Sequence, residues 1–496
     1  MTSSHPREPI NRVPTGVSGL DHVLGGGLPR DRLYLLQGDP GVGKTTLALQ
    51  FLLAGAEAGE VCLYVTLSET KEELRAVADS HGWSLDKLLL FELPVGDRGN
   101  GGEENTLFHP SEVELAETTK LLLDEVERVK PSRVVFDSLS EIRLLSQGAL
   151  RYRRQVLALK QFFVGRRCTV LLLDDRTAEP GDLQLQSLAH GVLSLEQLSP
   201  LYGAERRRLR VVKMRGVPFR GGYHDFALQT GGMKVFPRLV AAHHRHGFES
   251  GSLPSGVAQI DALVGGGLDR GTSTLLMGPA GTGKSAVAVQ YAKSAAARGQ
   301  RTVIFAFDES ASTLLTRSAG VGMDLHSEIA AGLIEVRQVD PAELAPGEFA
   351  HLVCEAVDER DARVIVIDSL NGYMHAMPEE HFLTLQLHEL LTYLGQRGVV
   401  TLMVVAQHGL VGAAMQSPID VSYLADAVMV FRHFEMAGQL RKAISMLKRR
   451  TGAHERAIRE LFIEKNGIRV GEPLHGLQGL LTGLPVRSTM PAADGE

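Results

Sequence analysis

Two stretches of this chain carry residues suited to holding a nucleotide's phosphates, and they are near-copies. Residues 38–45 read GDPGVGKT and residues 278–285 read GPAGTGKS; both fit G-x-x-x-x-G-K-[ST]. Glycines in such a loop let backbone N–H groups turn inward around phosphate oxygens. The expected nucleotide-binding residues are Gly38, Gly41, Gly43, Lys44, Thr45 and Thr46 in the first copy, and Gly278, Gly281, Gly283, Lys284 and Ser285 in the second. Lys44 and Lys284 would reach the β- and γ-phosphates of ATP, and Thr45 and Ser285 would place a hydroxyl on Mg²⁺. Phosphoryl transfer also needs a carboxylate near the metal at the end of another strand. Asp137 in VVFDS and Asp368 in VIVIDS fit that need, each followed by Ser-Leu. The bland alternative for such an aspartate is a turn cap.

A group that orients or deprotonates the nucleophile is the next requirement. The apolar run after each P-loop helix ends in LSET (67–70) or FDES (307–310), which places Glu69 and Glu309 at the same repeated position. Ser68 stands where the second copy has Asp308, so only the second copy has paired carboxylates, Asp308 and Glu309. Helix capping competes with the catalytic reading, because Thr70-x-x-Glu73 has the form of a capping box. Late in each copy lies a basic strand, VVKMRG (211–216) or MLKRR (446–450). Lys213 and Arg215 match Lys448 and Arg450. Alternate strand positions face one side, and that side is suited to reach the γ-phosphate of a neighbouring subunit, as an arginine finger does.

These groups need elements to position them. The copies are offset by 240 residues, Lys44 to Lys284, and the offset extends beyond the loop: Pro14, Gly16, Val17 and Asp21 recur as Pro254, Gly256, Val257 and Asp261. Short apolar runs alternate with amphipathic helices in each copy. They are LYLLQG (33–38), VCLYVTL (61–67), RVVFDS (133–138) and CTVLLLDD (168–175), then TLLMG (274–278), TVIFAF (302–307), RVIVIDS (363–369) and VVTLMVVA (399–406). That pattern predicts an α/β chain of two tandem P-loop NTPase domains, each a mostly parallel twisted sheet flanked by helices. Ligand is expected at the carboxyl ends of the strands. The expected organisation is a loose N-terminus over 1–12, a first domain over 13–240, a His-rich solvated linker over 241–247, a second domain over 248–475 and a tail over 476–496.

Composition narrows the class. The chain has 496 residues, 44% hydrophobic and 22% charged, with a net charge of −6, as an ordinary soluble protein does. That balance builds in no general attraction to nucleic acid. Cys62, Cys168 and Cys354 lie in or beside apolar runs and read as reduced core thiols of a cytoplasmic protein. No apolar run approaches the ~20 residues of a membrane span, and the N-terminus lacks a signal peptide's apolar stretch.

Taken together these motifs resemble the KaiC family of duplicated RecA-fold ATPases. The resemblance covers about residues 13–485. It rests on TGVSGLDHVLGGGLP (15–29), SGVAQIDALVGGGL (255–268), both P-loops, VTLSET, FAFDES, IDSL (367–370), KMRG (213–216) and AHERAIREL (453–461). It implies a hexamer of stacked double rings with ATP between subunits. It also implies a first domain that hydrolyses ATP and drives assembly, and a second that phosphorylates a Ser-Thr pair of its own chain. Registering DVSYLADAVMVF (420–431) on that region puts Ser422 at the serine and Tyr423 at the threonine. A KaiB-like or other signalling protein is the implied partner. The short chain after LQGLLTGLPVRS (477–488) leaves little for a KaiA-type activator.

Three functions follow as expectations. The first is a hexameric ATPase and serine autokinase acting as a timing or signalling switch. The second is a non-phosphorylating, nucleotide-gated scaffold, motivated by Ser68 and Tyr423. The third is a DNA-handling ATPase, for which the basic run ERRRLR (205–210) is the best support.

Overall fold

The computed structural model describes residues 11–93, 110–146, 148–176, 184–200, 202–245, 247–375, 382–407, 422–475, 477–479 and 486–487. The chain forms two compact units that divide between Arg238 and Leu239. Each is built on one nine-stranded sheet.

In the first unit the strands run, edge to edge, Leu89–Glu92, Cys62–Thr66, Arg133–Asp137, Thr169–Asp175, Leu33–Gly38, Gly191–Leu198, Arg206–Met214, Tyr223–Gln229 and Gly232–Phe236. The first six are mutually parallel and the last three antiparallel. The parallel strands are apolar along their length because helices cover both faces. On one face Leu47, Phe51 and Leu52 of helix Lys44–Glu57 pack on Tyr34, Leu36 and Tyr64. On the other, Leu122, Val126, Tyr152, Val156 and Leu159 pack on Leu35, Val134 and Leu172.

The second unit repeats this order with Ile334–Gln338, Arg301–Ala306, Ala362–Asp368, Val400–Ala406, Ser273–Gly278, Ala427–Met436, Gln439–Arg449, Ile458–Glu464 and Gly467–Pro473. The parallel core is the architecture expected of a RecA-like domain. The antiparallel hairpins that extend each sheet are less legible in sequence, since their strands alternate buried and exposed positions.

The residues that recur outside the loops turn out to be braces. The Asp21 carboxylate accepts from Thr15 N (2.9 Å) and Thr15 Oγ1 (2.8 Å), and Asp261 accepts from Ser255 N (2.6 Å). Gly27 has φ 109°, and a Cβ there would lie 2.3 Å from the Val13 carbonyl oxygen, so the third residue of that glycine triplet admits no side chain.

Residues 241–247, expected as a solvated linker, open as part of the second unit. Ala241 is buried, its N–H donates to Glu389 Oε2 (2.8 Å), and His244 meets Tyr393 edge-to-face at 5.2 Å. Of the tail, Leu477–Gln478 pairs antiparallel with Val486–Arg487. Residues 1–10 and 488–496 lie outside the described residues. Cys62 and Cys168 are buried and Cys354 is half-buried; all three are free thiols. Burial pushes Cys62 up to about 11 and Cys354 up to about 12, so neither is a ready thiolate. Among the described residues no helix is long and apolar enough to cross a membrane.

Candidate functional site

Both P-loops lie between a strand and a helix at the carboxyl edge of the sheet, where helix N–H groups and the helix dipole favour an anion. The loops take the curled form because Gly41, Gly43, Gly281 and Gly283 all have φ between 76° and 107°. Helices Lys44–Glu57 and Lys284–Ala296 start directly at the lysines.

In the second unit a cavity of about 430 Å³ opens over the loop. Lys284, Ser285, Asp308, Glu309 and Asp368 all line it, so the structure brings these sequence-predicted residues together. Ser285 stands beside Asp368, whose carboxyl is pushed up by burial against the lowering effect of that hydroxyl. Ser369 donates to Asp308 Oδ2. Glu309 is held by Arg317, Nη2 to Oε1 at 2.5 Å and Nε to Oε2 at 3.3 Å. Val321 and Ile463 give the cavity an apolar wall.

Lys284 donates to the Pro279 carbonyl (2.7 Å), and burial depresses its ammonium to about 8 against the pull of Asp368 and Asp308. Polyphosphate needs the charged form. Affinity at this site is therefore expected to be full where Lys284 is charged and to fall as the pH rises through about 8. In a Lys44→Ala background, ATP affinity is expected to fall about tenfold between pH 7 and 9 in equilibrium binding. A flat profile would show that Lys284 stays charged throughout.

The first site has the same skeleton and different details. Thr45 Oγ1 donates to Asp137 Oδ2 (3.1 Å), and Tyr64 donates to the same oxygen (2.5 Å). Burial raises the Asp137 carboxyl. Lys44 Nζ bonds the Gly38 and Asp39 carbonyls (3.0 and 2.9 Å) and pairs with Asp175 Oδ1 at 2.7 Å. Thr46 is buried, with its hydroxyl 3.4 Å from His81 Nε2.

The capping box is real, but it belongs to Thr70 and Glu73. Glu69 is left over from it. Its Oε2 is buried with no hydrogen-bond partner among the described residues, and its pKa is raised by burial first and then by Asp137 and Glu73. Ser68 is exposed. The peptide bonds Asp137–Ser138 and Asp368–Ser369 are both cis.

The donor set fits Mg²⁺. Each site offers one hydroxyl and one carboxylate, Thr45 with Asp137 and Ser285 with Asp368. All are hard oxygen donors, and Mg²⁺ is usually bound by one or two carboxylates plus substrate phosphates and water. No cluster of three or more His, Cys, Asp or Glu occurs among the described residues.

The basic strands make contacts within their own units. Lys213 donates to the Gln186 carbonyl and Arg215 to that of Ser187 (2.6 Å). Lys448 donates to the carbonyls of Ser422 (3.0 Å) and Ala425 (2.8 Å). Arg450 bonds the Tyr423 carbonyl (2.6 Å) and Asp426 (3.3 Å). Lys448 and Arg450 do not line their own unit's cavity and instead hold the segment carrying Ser422. Residues 408–421, which precede it, lie outside the described residues. Within the run 205–210, Arg208 and Arg210 share Glu196 with Arg176 and lie over Tyr223.

Sequence reasoning passed over Arg317, Tyr64 and Asp175. Arg317 and Tyr64 carried no motif. Asp175 had a signal, as the second of two acids ending a strand beside the P-loop strand.

Two P-loops on repeated RecA-like sheets, each with a strand-end aspartate and a glutamate converging on the loop, define a duplicated P-loop NTPase. The family model described as "ATPase: KaiC" matches residues 13–240 and 253–475. The chain belongs to the KaiC ATPase family and is an ATP-binding protein of that type. It is similar to the circadian clock oscillator protein KaiC of Synechococcus elongatus, 25% identical over 99% of this chain and 96% of the relative. It is also similar to the circadian clock protein KaiC3 of Synechocystis sp., 25% identical over 96% and 95%. The KaiC of Thermosynechococcus vestitus is 24% identical over 96% and 92%.

Proposed function

We propose that the chain is an Mg²⁺-dependent ATPase that also phosphorylates itself at Ser422 and works as a hexameric signalling or timing switch. The observation that carries the catalytic reading is the second unit's cavity, where Lys284, Ser285, Asp308, Glu309 and Asp368 line one space beside an apolar wall.

Mg²⁺, held by Thr45 with Asp137 and by Ser285 with Asp368, would supply charge neutralisation on the phosphates. Lys44 and Lys284 bind the β- and γ-phosphates, and the loop N–H groups orient them. Glu309 and Glu69 accept the proton of the attacking water, and Asp308 beside Glu309 suits the second site to a hydroxyl nucleophile. Lys213, Arg215, Lys448 and Arg450 serve a neighbouring subunit's γ-phosphate in the hexamer. A KaiB-like or other signalling protein is the partner this reading calls for, and the cytoplasm is the expected compartment.

A nucleotide-gated scaffold is the second reading. It is favoured by the exposed Ser68, which leaves the first site one carboxylate short beside Glu69.

Intact-mass analysis with peptide mapping after incubation with Mg-ATP separates the two. One added phosphate on the segment containing Ser422, absent in Lys284→Ala, is expected for the autokinase. Unchanged mass with ATP consumed would remove the kinase and leave an ATPase switch. Unchanged mass with ATP retained, and with ATP-dependent assembly, would select the scaffold.

A further inference from the structure

We propose that Asp175 is a positioning residue of the first nucleotide site. It holds the P-loop lysine on its own carboxylate, so that an incoming nucleotide must displace a built-in anion, a requirement absent from the second site. The proposal rests on the reading of both P-loops as nucleotide sites.

The sheet register makes the comparison between the copies. In the first unit Gly38, the first loop glycine, pairs across the parallel ladder with Asp175. In the second unit Gly278 pairs with Ala406. One copy therefore has a carboxylate, and the other a methyl group, at the same place beside the loop.

Asp175 Oδ1 lies 2.7 Å from Lys44 Nζ, and that lysine side chain is only 8% exposed. The second carboxylate oxygen is also engaged, accepting from Ser140 Oγ at 3.1 Å. Ser140 thus fixes the carboxylate with one edge towards the lysine. The neighbouring acid does not compete, because Asp174 is buried and pairs with Arg143 at 2.8 Å.

The second unit lacks every part of this arrangement. Asn371 replaces Ser140 two residues beyond the Asp-Ser step, and its side chain bonds the backbone of Ala406, Nδ2 to the carbonyl at 3.1 Å and Oδ1 from the N–H at 2.8 Å. Lys284 makes no ion pair among the described residues and bonds only the Pro279 carbonyl.

Two anions compete for one ammonium. In the nucleotide-free first site Asp175 has it; a bound triphosphate takes it with its β- and γ-oxygens, and Ser140 remains for Asp175. Affinity scales with the fraction of molecules whose binding group is free. A pair that leaves Lys44 free about a tenth of the time weakens binding about tenfold.

The test uses the full chain with Lys284→Ala, so that labelled ATP reports the first site. Adding Asp175→Ala or Asp175→Asn is expected to tighten ATP binding about tenfold, with KM for hydrolysis falling more than kcat changes. The reciprocal variant, Ala406→Asp in a Lys44→Ala background, is expected to weaken ATP at the second site about tenfold, and it keeps the test decisive should the Asp175 variants fold poorly. Unchanged affinity in the Asp175 variants would overturn the proposal. Weaker affinity would overturn it too, making Asp175 a contributor to the bound metal–nucleotide. A Lys284→Ala parent that binds no ATP at all would instead remove the nucleotide reading of the first loop, and the proposal with it.

Discussion

Glu309→Gln is expected to lower ATP turnover at the second site by about 10²–10⁴-fold while leaving ATP binding within a few-fold. Glutamine keeps the shape and can still meet Arg317, but it cannot take a proton, and a positioned general base contributes about that factor. Glu69→Gln is expected to do the same at the first site. The two sites should differ in how they respond to acid. Glu69 makes no ion pair among the described residues, its Oε2 is buried without a hydrogen-bond partner among them, and burial, then Asp137 and Glu73, raise its pKa against the pull of Lys44. A base with a raised pKa loses its working form at a higher pH than an ordinary glutamate near 4.3. First-site turnover, isolated in the Glu309→Gln variant, should therefore fall on the acid side at a higher pH than an ordinary glutamate would give. Phosphate release by each single variant and the double variant, from pH 5 to 8, reads both effects. A double variant within a few-fold of wild type would dismiss both glutamates as bases.

Much of this was legible because the chemistry needs particular residues at particular spacings. The loops, Asp137, Asp368, Glu309 and the alternation of apolar strands with helices are local patterns, and a second copy at constant offset doubled each of them. What stayed hidden is long-range. Arg317 reaches Glu309 because the helix Ala311–Gly320 turns it back over the strand end, which no motif encodes. Asp175 reaches Lys44 because the sheet order inserts Thr169–Asp175 between the P-loop strand and the Asp137 strand, whereas in the chain it is the fifth strand of that sheet. The antiparallel hairpins were hidden for a related reason. Their half-buried strands carry Arg, Lys and Glu at alternate positions, and that pattern fits a solvated face as well as a sheet extension. The stretch 241–247 looked like a linker from its histidines, but one alanine and one backbone N–H sufficed to attach its start to Glu389.

The loss of a single arginine far from the phosphates is expected to cost the first unit a large part of its stability. Arg133 is fully buried at the start of the strand that ends in Asp137. Its Nε donates to Glu60 (2.5 Å), its Nη1 to the Pro14 and Phe51 carbonyls (2.8 Å each), and its guanidinium lies 4.8 Å over the Phe51 ring. Burial works to raise the Glu60 carboxyl, but the hydrogen bonds from Arg133 and Arg30 prevail and hold it below the usual range. Gly55 leaves the passage for this side chain, since a Cβ there would meet Arg133 at 2.6 Å. Arg133→Ala removes one of the two arginines that hold Glu60, leaving Arg30 as its remaining partner, takes a donor from the Pro14 and Phe51 carbonyls, and opens a cavity. Breaking such a pair costs about 3–5 kcal/mol, or on the order of 10 °C for a domain of this size. The second unit solves the same position differently. Counting back from the strand-end aspartates, Arg133 corresponds to Val364, and the repeat offset puts Ala295 at Gly55 and Gln300 at Glu60. Since a buried ion pair is often replaceable by well-packed apolar groups at little cost, the triple change Arg133→Val, Gly55→Ala, Glu60→Gln should recover most of the loss. Scanning calorimetry of the full chain should show one transition moving down in Arg133→Ala and returning in the triple variant. An unmoved transition would mean that Arg133 is carried by the surrounding core rather than holding it together, and a triple variant no better than the single would mean that the packing of the second unit is not transferable to the first.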